Sequence, residues 1–137
     1  MPLYLEIVTP DSIAFAKEVK CVVLPTLNGR IQILPKHIPI IDRVIPGYVK
    51  VELQDEVDYF SINRGFVEVY GEKVSIITDG AAKADEEDEA AIEEAIQKAQ
   101  TALSEAKEGS LDQAKIDQLE AAARFEMAKK VAKSKSR

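Results

Sequence analysis

The chain has 137 residues and a mass of 15.1 kDa, which suits one compact domain, or one small domain with an appendage, and is too small for a barrel enzyme. Hydrophobic residues make up 46% and charged residues 31%, a balance typical of a globular protein and not of a disordered or membrane-spanning one. The 18 basic and 24 acidic residues give a net charge of -6, the wrong sign for binding a phosphate backbone, so nucleic acid is not an expected partner.

The single cysteine, Cys21, and the single histidine, His37, restrict the chemistry further. One cysteine cannot form an internal disulfide, and no second thiol or imidazole is present to complete a metal site within the chain. Residues 1–6 lack the basic start of a secretory signal, and no run approaches the roughly 20 apolar residues of a membrane-spanning helix. We therefore expect a protein kept in the reducing cytoplasm, without direct membrane insertion and without catalysis of its own.

Residues 3–78 alternate between apolar and polar side chains, the pattern of half-buried strands. Leu3, Leu5 and Ile7 share one strand face. Later segments repeat the alternation with Val19, Cys21 and Val23, then Ile31 and Ile33, then Val49, Val51 and Leu53. Turn-forming pairs such as Asn28-Gly29 separate the runs. Many short strands with frequent turns predict an antiparallel all-β sandwich or barrel.

The composition changes near Asp79 and Gly80, where β-branched residues give way to alanine, glutamate and lysine. We expect a domain boundary here, with a β-sandwich over residues 1–84 and an α-helical hairpin over residues 85–137. The first predicted helix runs from Asp85, its expected N-cap, to Lys107. Its apolar residues recur at three- and four-residue spacing and are Ile92, Ala95, Ile96, Ala99, Ala102, Leu103 and Ala106.

Gly109 is expected to end this helix in the left-handed conformation. Residues 110–113 indicate a capping box for a second helix from Leu111 to Lys133, and together the two helices predict an antiparallel hairpin with a basic tail. The second apolar stripe consists of Ile116, Leu119, Ala123, Met127 and Val131. Because the first stripe is mostly alanine, and a buried methyl-sized group gains only about 0.8 kcal/mol, we expect a weakly held hairpin that can rearrange without unfolding.

No glycine-rich phosphate cradle and no G-x-S-x-G elbow occurs in the sequence. His37 lies in a loop stiffened by two prolines and is interpreted as a structural anchor, with a small hydrolase using His37 as a less favoured hypothesis. Cys21 is interpreted as a buried, inert thiol. The acidic residues 86–89 indicate a solvated helix start and not a calcium loop. The basic tail leaves open an acidic partner surface, an anionic membrane or a disordered end.

Residues 28–40, which read N-G-R-I-Q-I-L-P-K-H-I-P-I, strongly resemble the epsilon subunit family of the F-type rotary ATP synthase. The resemblance extends to residues 5–11, 45–51 and 65–69, and the helical hairpin follows where the family has one. It implies a ten-stranded β-sandwich followed by two helices, in a non-catalytic central-stalk subunit. Such a subunit lies on the gamma subunit above the c-ring and helps couple proton-driven rotation to ATP synthesis in the alpha/beta catalytic head.

In bacterial relatives the hairpin either folds onto the sandwich or extends along gamma, where it blocks rotation and ATP hydrolysis. The alternative under the same resemblance is a purely structural stalk coupler without an inhibitory hairpin. Either protein would lie at the cytoplasmic face of the bacterial inner membrane and reach it only through gamma and the c-ring.

The resemblance also implies contact residues. Asn28, Gly29 and Arg30 occupy the turn that resembles the c-ring contact, and Arg30 replaces an acidic residue of some relatives. The loop that resembles the gamma-facing loop holds Pro35, His37 and Pro39. In the extended state, the tail residues expected to meet acidic segments of the beta subunits are Lys129, Lys130, Lys133 and Arg137.

Some relatives bind ATP through a helix-start pattern that resembles I/L-D-x-x-R-A. Asp88 matches the aspartate of this pattern, but Ala91 replaces the arginine that would bind a phosphate. Ile96 stands where a second basic residue is often found. We therefore expect weak or absent ATP binding, no cofactor and no metal.

Overall fold

The computed structural model describes residues 3–36, 39–109 and 112–136. Within them, ten strands are followed by a short 3-10 turn at Ala84–Glu86 and by two helices, α1 (Glu89–Glu108) and α2 (Gln113–Lys135). The strands in chain order are β1 (Leu3–Val8), β2 (Ile13–Val19), β3 (Cys21–Thr26), β4 (Gly29–Ile33), β5 (Ile40–Val44), β6 (Gly47–Glu52), β7 (Val57–Ile62), β8 (Gly65–Tyr70), β9 (Lys73–Thr78) and β10 (Ala81–Lys83).

The strands form one hydrogen-bonded sheet that folds over on itself. Along its main path the order is β10-β7-β6-β3-β5-β8-β9-β1-β2, and β4 pairs with β3 off that path. Phe15 on β2, at one end of the path, meets Phe60 on β7, near the other end, with ring centroids 5.3 Å apart in an edge-to-face arrangement. The two ends of the sheet therefore face each other across a shared core, and the predicted ten-stranded sandwich is confirmed.

Alternating side chains fill this core. On β1 the inward residues Leu3, Leu5 and Ile7 are fully buried, as the sequence pattern predicted. On β6, Val49 and Val51 are likewise buried, while Lys50 between them is half-buried on the other face of the strand. The period-two pattern of the sequence thus corresponds to the inward and outward faces of the sandwich.

Strand β3 is one residue out of phase with the predicted pattern. Val22 and Leu24 belong to the core cluster, whereas Cys21 is buried on the opposite face and Val23 is only half-buried. A bend at Lys20 separates β2 from β3 and shifts the phase between them. The predicted burial of Cys21 is therefore confirmed, whereas the prediction that Cys21 and Val23 continue the inward face of Val19 is wrong.

The first helix begins later than predicted. Asp88, not Asp85, is the N-cap of α1, and its carboxylate accepts a hydrogen bond from the Ala91 N–H at 3.3 Å. Asp85 lies in the 3-10 turn, where its carboxylate pairs with Lys83 at 3.8 Å. Lys83 also lies 3.9 Å from Asp58 of β7. The pair between Lys83 and Asp58 links the start of the turn to β7, and the helix begins only after the turn has ended at Glu86.

The connection between the helices also differs from the expectation. Gly109 has φ -93° and ψ -174°, which is extended backbone and not the left-handed conformation. Asp112 caps α2 by accepting a hydrogen bond from the Lys115 N–H at 2.8 Å. The N-cap of α2 is therefore Asp112 and not the first residue of the predicted capping box; Ser110 and Leu111 lie outside the described residues.

Helix α2 connects the hairpin to the sandwich, because it packs against β6 and β7 on one side and against α1 on another. Ion pairs between Lys107 and Glu120, at 3.7 Å, and between Glu93 and Lys130, at 2.7 Å, link the two helices. The most buried residues of α2 are alanines on one helical face: Ala121, Ala128 and Ala132. Their small side chains allow close approach of the helix to its neighbours.

The predicted stripe of α2 is therefore not its most buried face. Ile116, Leu119 and Ala123 are half-buried, and Met127 and Val131 are 41% and 40% exposed. On a helical projection these residues lie on the side that carries the ion pairs to α1. A helix with neighbours on two sides has two contact faces, and the sequence pattern identified only one of them.

Candidate partner-binding surfaces

The turn between β3 and β4 is an exposed and well-supported projection. Gly29 has φ +112°, a conformation that L side chains rarely adopt, and the space around its Cα is open. The Thr26 hydroxyl donates to the Gly29 carbonyl at 2.7 Å and accepts from the Asn28 N–H at 3.2 Å. The Asn28 side-chain amide donates to the Asp42 carboxylate at 3.3 Å. Two of the residues expected to contact the c-ring thus stand on a turn whose shape is fixed from within.

Arg30, the third of these residues, stacks on an aromatic ring. Its Cζ lies 3.8 Å from the ring centroid of Tyr48 on β6, within the range of a cation–π contact. Partial burial lowers the pKa of Arg30, and Tyr48 acts in the opposite direction. Arginine nevertheless stays protonated at neutral pH. Lys135, in the last turn of α2, places its Nζ 5.0 Å from the same ring centroid, so Arg30 shares its aromatic partner with the hairpin.

The outer surface of β8, β9, β1 and β2 carries an apolar row. Phe66 pairs with Ile77, Ile77 with Val8, and Val8 with Ile13, so the four side chains lie side by side across four strands. Phe66, Ile77 and Ile13 are 53%, 52% and 63% exposed. This row points away from the core, which the inward side chains already fill.

Two further exposed residues, Ile41 on β5 and Tyr70 on β8, line a shallow groove of about 340 Å³ on the same side of the sheet, and Glu68 lies between them and Phe66. The groove is lined by Pro39, Ile40, Ile41, Glu68, Val69 and Tyr70. We refer to Val8, Ile13, Ile41, Phe66, Tyr70 and Ile77 as the outer apolar face. Exposed apolar patches of this kind mark interaction sites on folded proteins.

The sequence analysis did not predict the outer apolar face, although the sequence of β8 indicates it. Strand β8 has Val67 and Val69 inward and Phe66, Glu68 and Tyr70 outward, so two of its three outward side chains are large and apolar. A strand of this kind is typical of burial on both faces. In a single sandwich, the second covering layer has to come from outside the sheet.

The loop that resembles a gamma-facing loop is placed only in part. Pro35 is half-buried, and Lys36 has φ +70°. Pro39 is exposed at the edge of the groove beside the outer apolar face. His37 lies outside the described residues, so its expected role as an anchor stays a prediction.

The basic residues of α2 are engaged within the hairpin. The Lys129 Nζ lies 3.2 Å from the Glu126 carboxylate and 4.7 Å from the Phe125 ring centroid. Lys130 pairs with Glu93 of α1, and Lys133 lines a groove between the helices. Arg137 lies outside the described residues. In this docked arrangement, Lys129 and Lys130 are already paired and are not free to meet another subunit.

The groove between α1 and α2 is where the resemblance would place a nucleotide. It has a volume of about 260 Å³ and is lined by Glu89, Ile92, Glu93, Lys130, Lys133 and Ser134. Asp88 is used as the helix cap, and Ile96, where a second basic residue is often found, is only 6% exposed. The groove therefore combines two lysines with two glutamates, and one of the lysines is paired across it.

Cys21 is buried and hydrogen-bonded. Its thiol donates to the Glu52 carboxylate at 3.0 Å and accepts from the Gln32 amide at 3.5 Å. Burial, followed by the hydrogen bond to Glu52, raises the pKa of the Cys21 thiol, and the same bond lowers the pKa of Glu52. A protonated and 2% exposed thiol is a poor nucleophile.

Phe125 anchors the hairpin on the sandwich. Its ring lies over Gly80, so closely that a Cβ at position 80 would lie 3.1 Å from the ring Cε2. A residue with a Cβ at position 80 would require the Phe125 ring to shift by a few tenths of an ångström. We refer to this contact, together with the buried alanine face of α2, as the hairpin seat.

Across residues 3–36, 39–109 and 112–136, no group of three or more histidine, cysteine or acidic side chains is arranged to hold a metal ion. None of the helices in that part of the chain is long and apolar enough to cross a membrane.

The geometry defines a class of protein that binds other chains. A filled sandwich with an exposed apolar face, a fixed projecting turn and a docked helical hairpin presents surfaces for partners. The family model of the ATP synthase delta/epsilon chain β-sandwich domain matches residues 2–84, and the chain belongs to this family. Members of this family are non-catalytic subunits of the ATP synthase central stalk, which confirms the expectation that this chain is not an enzyme.

Curated relatives and solved structures agree with this assignment. The chain is 38% identical over 95 residues to the ATP synthase epsilon chain of Chloroflexus aggregans, covering 69% of this chain and 68% of the relative. It is 31% identical over 134 residues to that of Ruthia magnifica, covering 97% of each. It is also similar to a chain of the Euglena gracilis mitochondrial ATP synthase OSCP/F1/c-ring structure, with TM-score 0.74, 25% identity, and coverage of 96% of this chain and 81% of that one.

The hairpin seat gives a direct prediction. Replacing Phe125 with alanine removes the ring over Gly80 and the partner of Lys129, and should weaken docking by about 1–3 kcal/mol. Amide exchange within residues 113–135 should accelerate about ten-fold or more, while exchange in β6 and β9 stays unchanged.

The matched control is Val131→Ala on the same helix, where the side chain is 40% exposed and little apolar contact is lost. Equal exchange rates in the Phe125→Ala variant and the unmodified chain would show that Phe125 does not hold the hairpin.

Proposed function

We propose that this chain couples rotation of the c-ring to ATP synthesis, by binding the gamma subunit with its outer apolar face and the c-ring with its β3–β4 turn. The observation that carries the proposal is the outer apolar face. Six apolar side chains cover one side of a sandwich whose interior is already filled, and a protein partner is the covering that such a surface fits.

The gamma subunit is the partner that we assign to this face. Pro39, in the loop that resembles the gamma-facing loop, borders the same groove as Ile41 and Tyr70. The resemblance and the exposed apolar surface therefore point to one continuous region. Aromatic side chains such as Phe66 and Tyr70 are typical anchors at protein interfaces.

The c-ring is the partner that we assign to the turn at Asn28, Gly29 and Arg30. The turn projects into solvent and is braced by Thr26 and Asp42. A braced turn loses little conformational entropy when it binds. In an assembled motor the chain would thereby lie, as a peripheral subunit, at the cytoplasmic face of the bacterial inner membrane.

The hairpin is proposed to inhibit ATP hydrolysis when it leaves its seat and extends along gamma. Lys130, which is paired with Glu93 of α1 in the docked form, would become free for acidic segments of the beta subunits when α2 separates from α1, whereas Lys129 would have to exchange its partner Glu126 on the same helix. An exposed ion pair contributes only about 0–1 kcal/mol, so breaking it adds little to the cost of release. The alternative is a stalk coupler whose hairpin has no inhibitory role.

The experiment that tests this function uses a catalytic head and gamma shaft depleted of this subunit. Either the full chain or residues 1–84 is added, and binding and steady-state ATP hydrolysis are both recorded. We expect both forms to bind and only the full chain to slow hydrolysis, because only it carries the hairpin.

Binding of both forms without any slowing would support the structural coupler. If neither form bound to the matched gamma subunit, the proposed stalk role would be overturned.

The gamma-binding face can be tested by a single substitution. Phe66→Ala should weaken binding to the gamma subunit about ten-fold or more, as expected for an aromatic interface anchor. Because Phe66 is 53% exposed in the free chain, its replacement should lower the free energy of unfolding by only about 1 kcal/mol. Isothermal titration calorimetry and urea unfolding measure the two quantities.

Val57→Ala is the control for this substitution, since Val57 is 45% exposed on β7 and lies outside the outer apolar face. Equal gamma affinity for the Phe66→Ala and Val57→Ala variants would remove the outer apolar face as the gamma surface.

We also propose that the hairpin binds ATP weakly or not at all. Ala91 supplies no cation, Asp88 is engaged as a helix cap, and the groove between the helices has Glu89 and Glu93 at its edge. Carboxylates at this position repel a triphosphate. Titration of the full chain with ATP should therefore give no binding in the low micromolar range by calorimetry, and a dissociation constant in that range would contradict this proposal.

A further inference from the structure

Tyr48 connects two parts of the chain that are far apart in sequence. Arg30 approaches its ring from the β3–β4 turn and Lys135 from the last turn of α2, at 3.8 and 5.0 Å from the ring centroid. The two cations can be no farther apart than the sum of these distances, which is close to the screening length of about 8 Å at physiological salt. They therefore repel each other in the docked form.

Nothing in the described part of the chain neutralises this pair of charges. Neither Arg30 nor Lys135 makes an ion pair with a described carboxylate. Asp42, beside the turn, accepts hydrogen bonds from Asn28 and from the Arg43 N–H. Glu52, farther along β6, already accepts a hydrogen bond from the Cys21 thiol and pairs with Lys50.

The dipole of α2 explains only part of the placement of Lys135 beside Tyr48. The negative end of the helix dipole favours a lysine in the last turn, which accounts for the position of Lys135 along the helix. The dipole does not account for its contact with the ring on which Arg30 already stacks. Two cations on one aromatic support, one of them at the base of a projecting turn, form a surface that is complementary to an anion.

We propose that Arg30 and Lys135 together form a composite binding surface around Tyr48 for a carboxylate side chain on the partner loop that faces the β3–β4 turn. The proposal rests on the proposed function, in which that partner is the c-ring. Its new elements are the chemistry of the partner group, an aspartate or glutamate, and the contribution of the docked hairpin to the surface. The c-ring thereby distinguishes the docked hairpin from the extended one.

Thermodynamic linkage makes this effect reciprocal. If docking of α2 strengthens binding of the c-ring, then binding of the c-ring stabilises the docked hairpin by the same factor. Engagement with the ring would thus oppose extension of the hairpin. The size of the effect is that of one exposed ion pair, roughly a two- to five-fold change in affinity.

The test measures binding of the purified c-ring, in detergent, to the complex of the full chain with the gamma subunit of the same organism. Arg30→Gln and Lys135→Gln should each weaken binding roughly two- to five-fold, and Lys135→Glu more than Lys135→Gln. Lys115→Gln, at the opposite end of α2, removes the same charge from the same helix and should leave the affinity unchanged. Circular dichroism checks that each variant is folded.

A second variant separates docking from charge alone. In Phe125→Ala, with the hairpin seat weakened, c-ring affinity should fall to the level of Lys135→Gln, and adding Lys135→Gln to this background should have no further effect. If Lys135→Gln weakened c-ring binding as much in the Phe125→Ala background as in the unmodified chain, Lys135 would act without docking, and the composite surface would be overturned.

The remaining outcomes separate this inference from the proposed function. If the unmodified complex binds the c-ring and Lys135→Gln binds it equally well, the composite surface is wrong while the stalk role stands. If the unmodified complex does not bind the c-ring at all, the proposed c-ring contact fails, and the composite surface fails with it.

Discussion

The contact of α2 with β6 and β7 is the interaction on which the arrangement of the whole chain depends. It places α1 in the second layer, since α1 packs mainly on α2. It also brings Lys135 to Tyr48 and the ring of Phe125 over Gly80. Loss of this one contact would separate the hairpin from the sandwich without disturbing the core, because the core cluster contains no residue of either helix.

The two outer sides of the sandwich differ in what covers their side chains. Strands β6 and β7 are covered by α2, whose small side chains permit close approach. Strands β8, β9, β1 and β2 leave Phe66 and Ile77 more than half exposed. Under the proposed function this difference is useful, because a large apolar interface with a partner is stable and an alanine interface with the hairpin is easily released.

Much of the fold could be predicted from the sequence, and the errors have physical causes. Period-two alternation predicted the sandwich because the inward side chains are packed in one core. The same reasoning failed for the phase of β3, which changes at the bend at Lys20, and for Asp85, which lies in the 3-10 turn before the helix. It also missed the alanine face of α2 and the outer apolar face. Both are second contact faces, and a pattern search that expects one buried side per element does not detect them.

The energetics of the hairpin seat favour control by partners. Three alanines and one phenylalanine contribute a few kcal/mol at most, and ordering the two helices offsets part of that gain. A population governed by so small a difference responds to any partner that binds one state a few-fold more tightly. Under the proposed function, Lys130 would provide such a difference for the extended state and the shared ring of Tyr48 for the docked state. The position of the hairpin would then depend on which of these two binding surfaces is occupied.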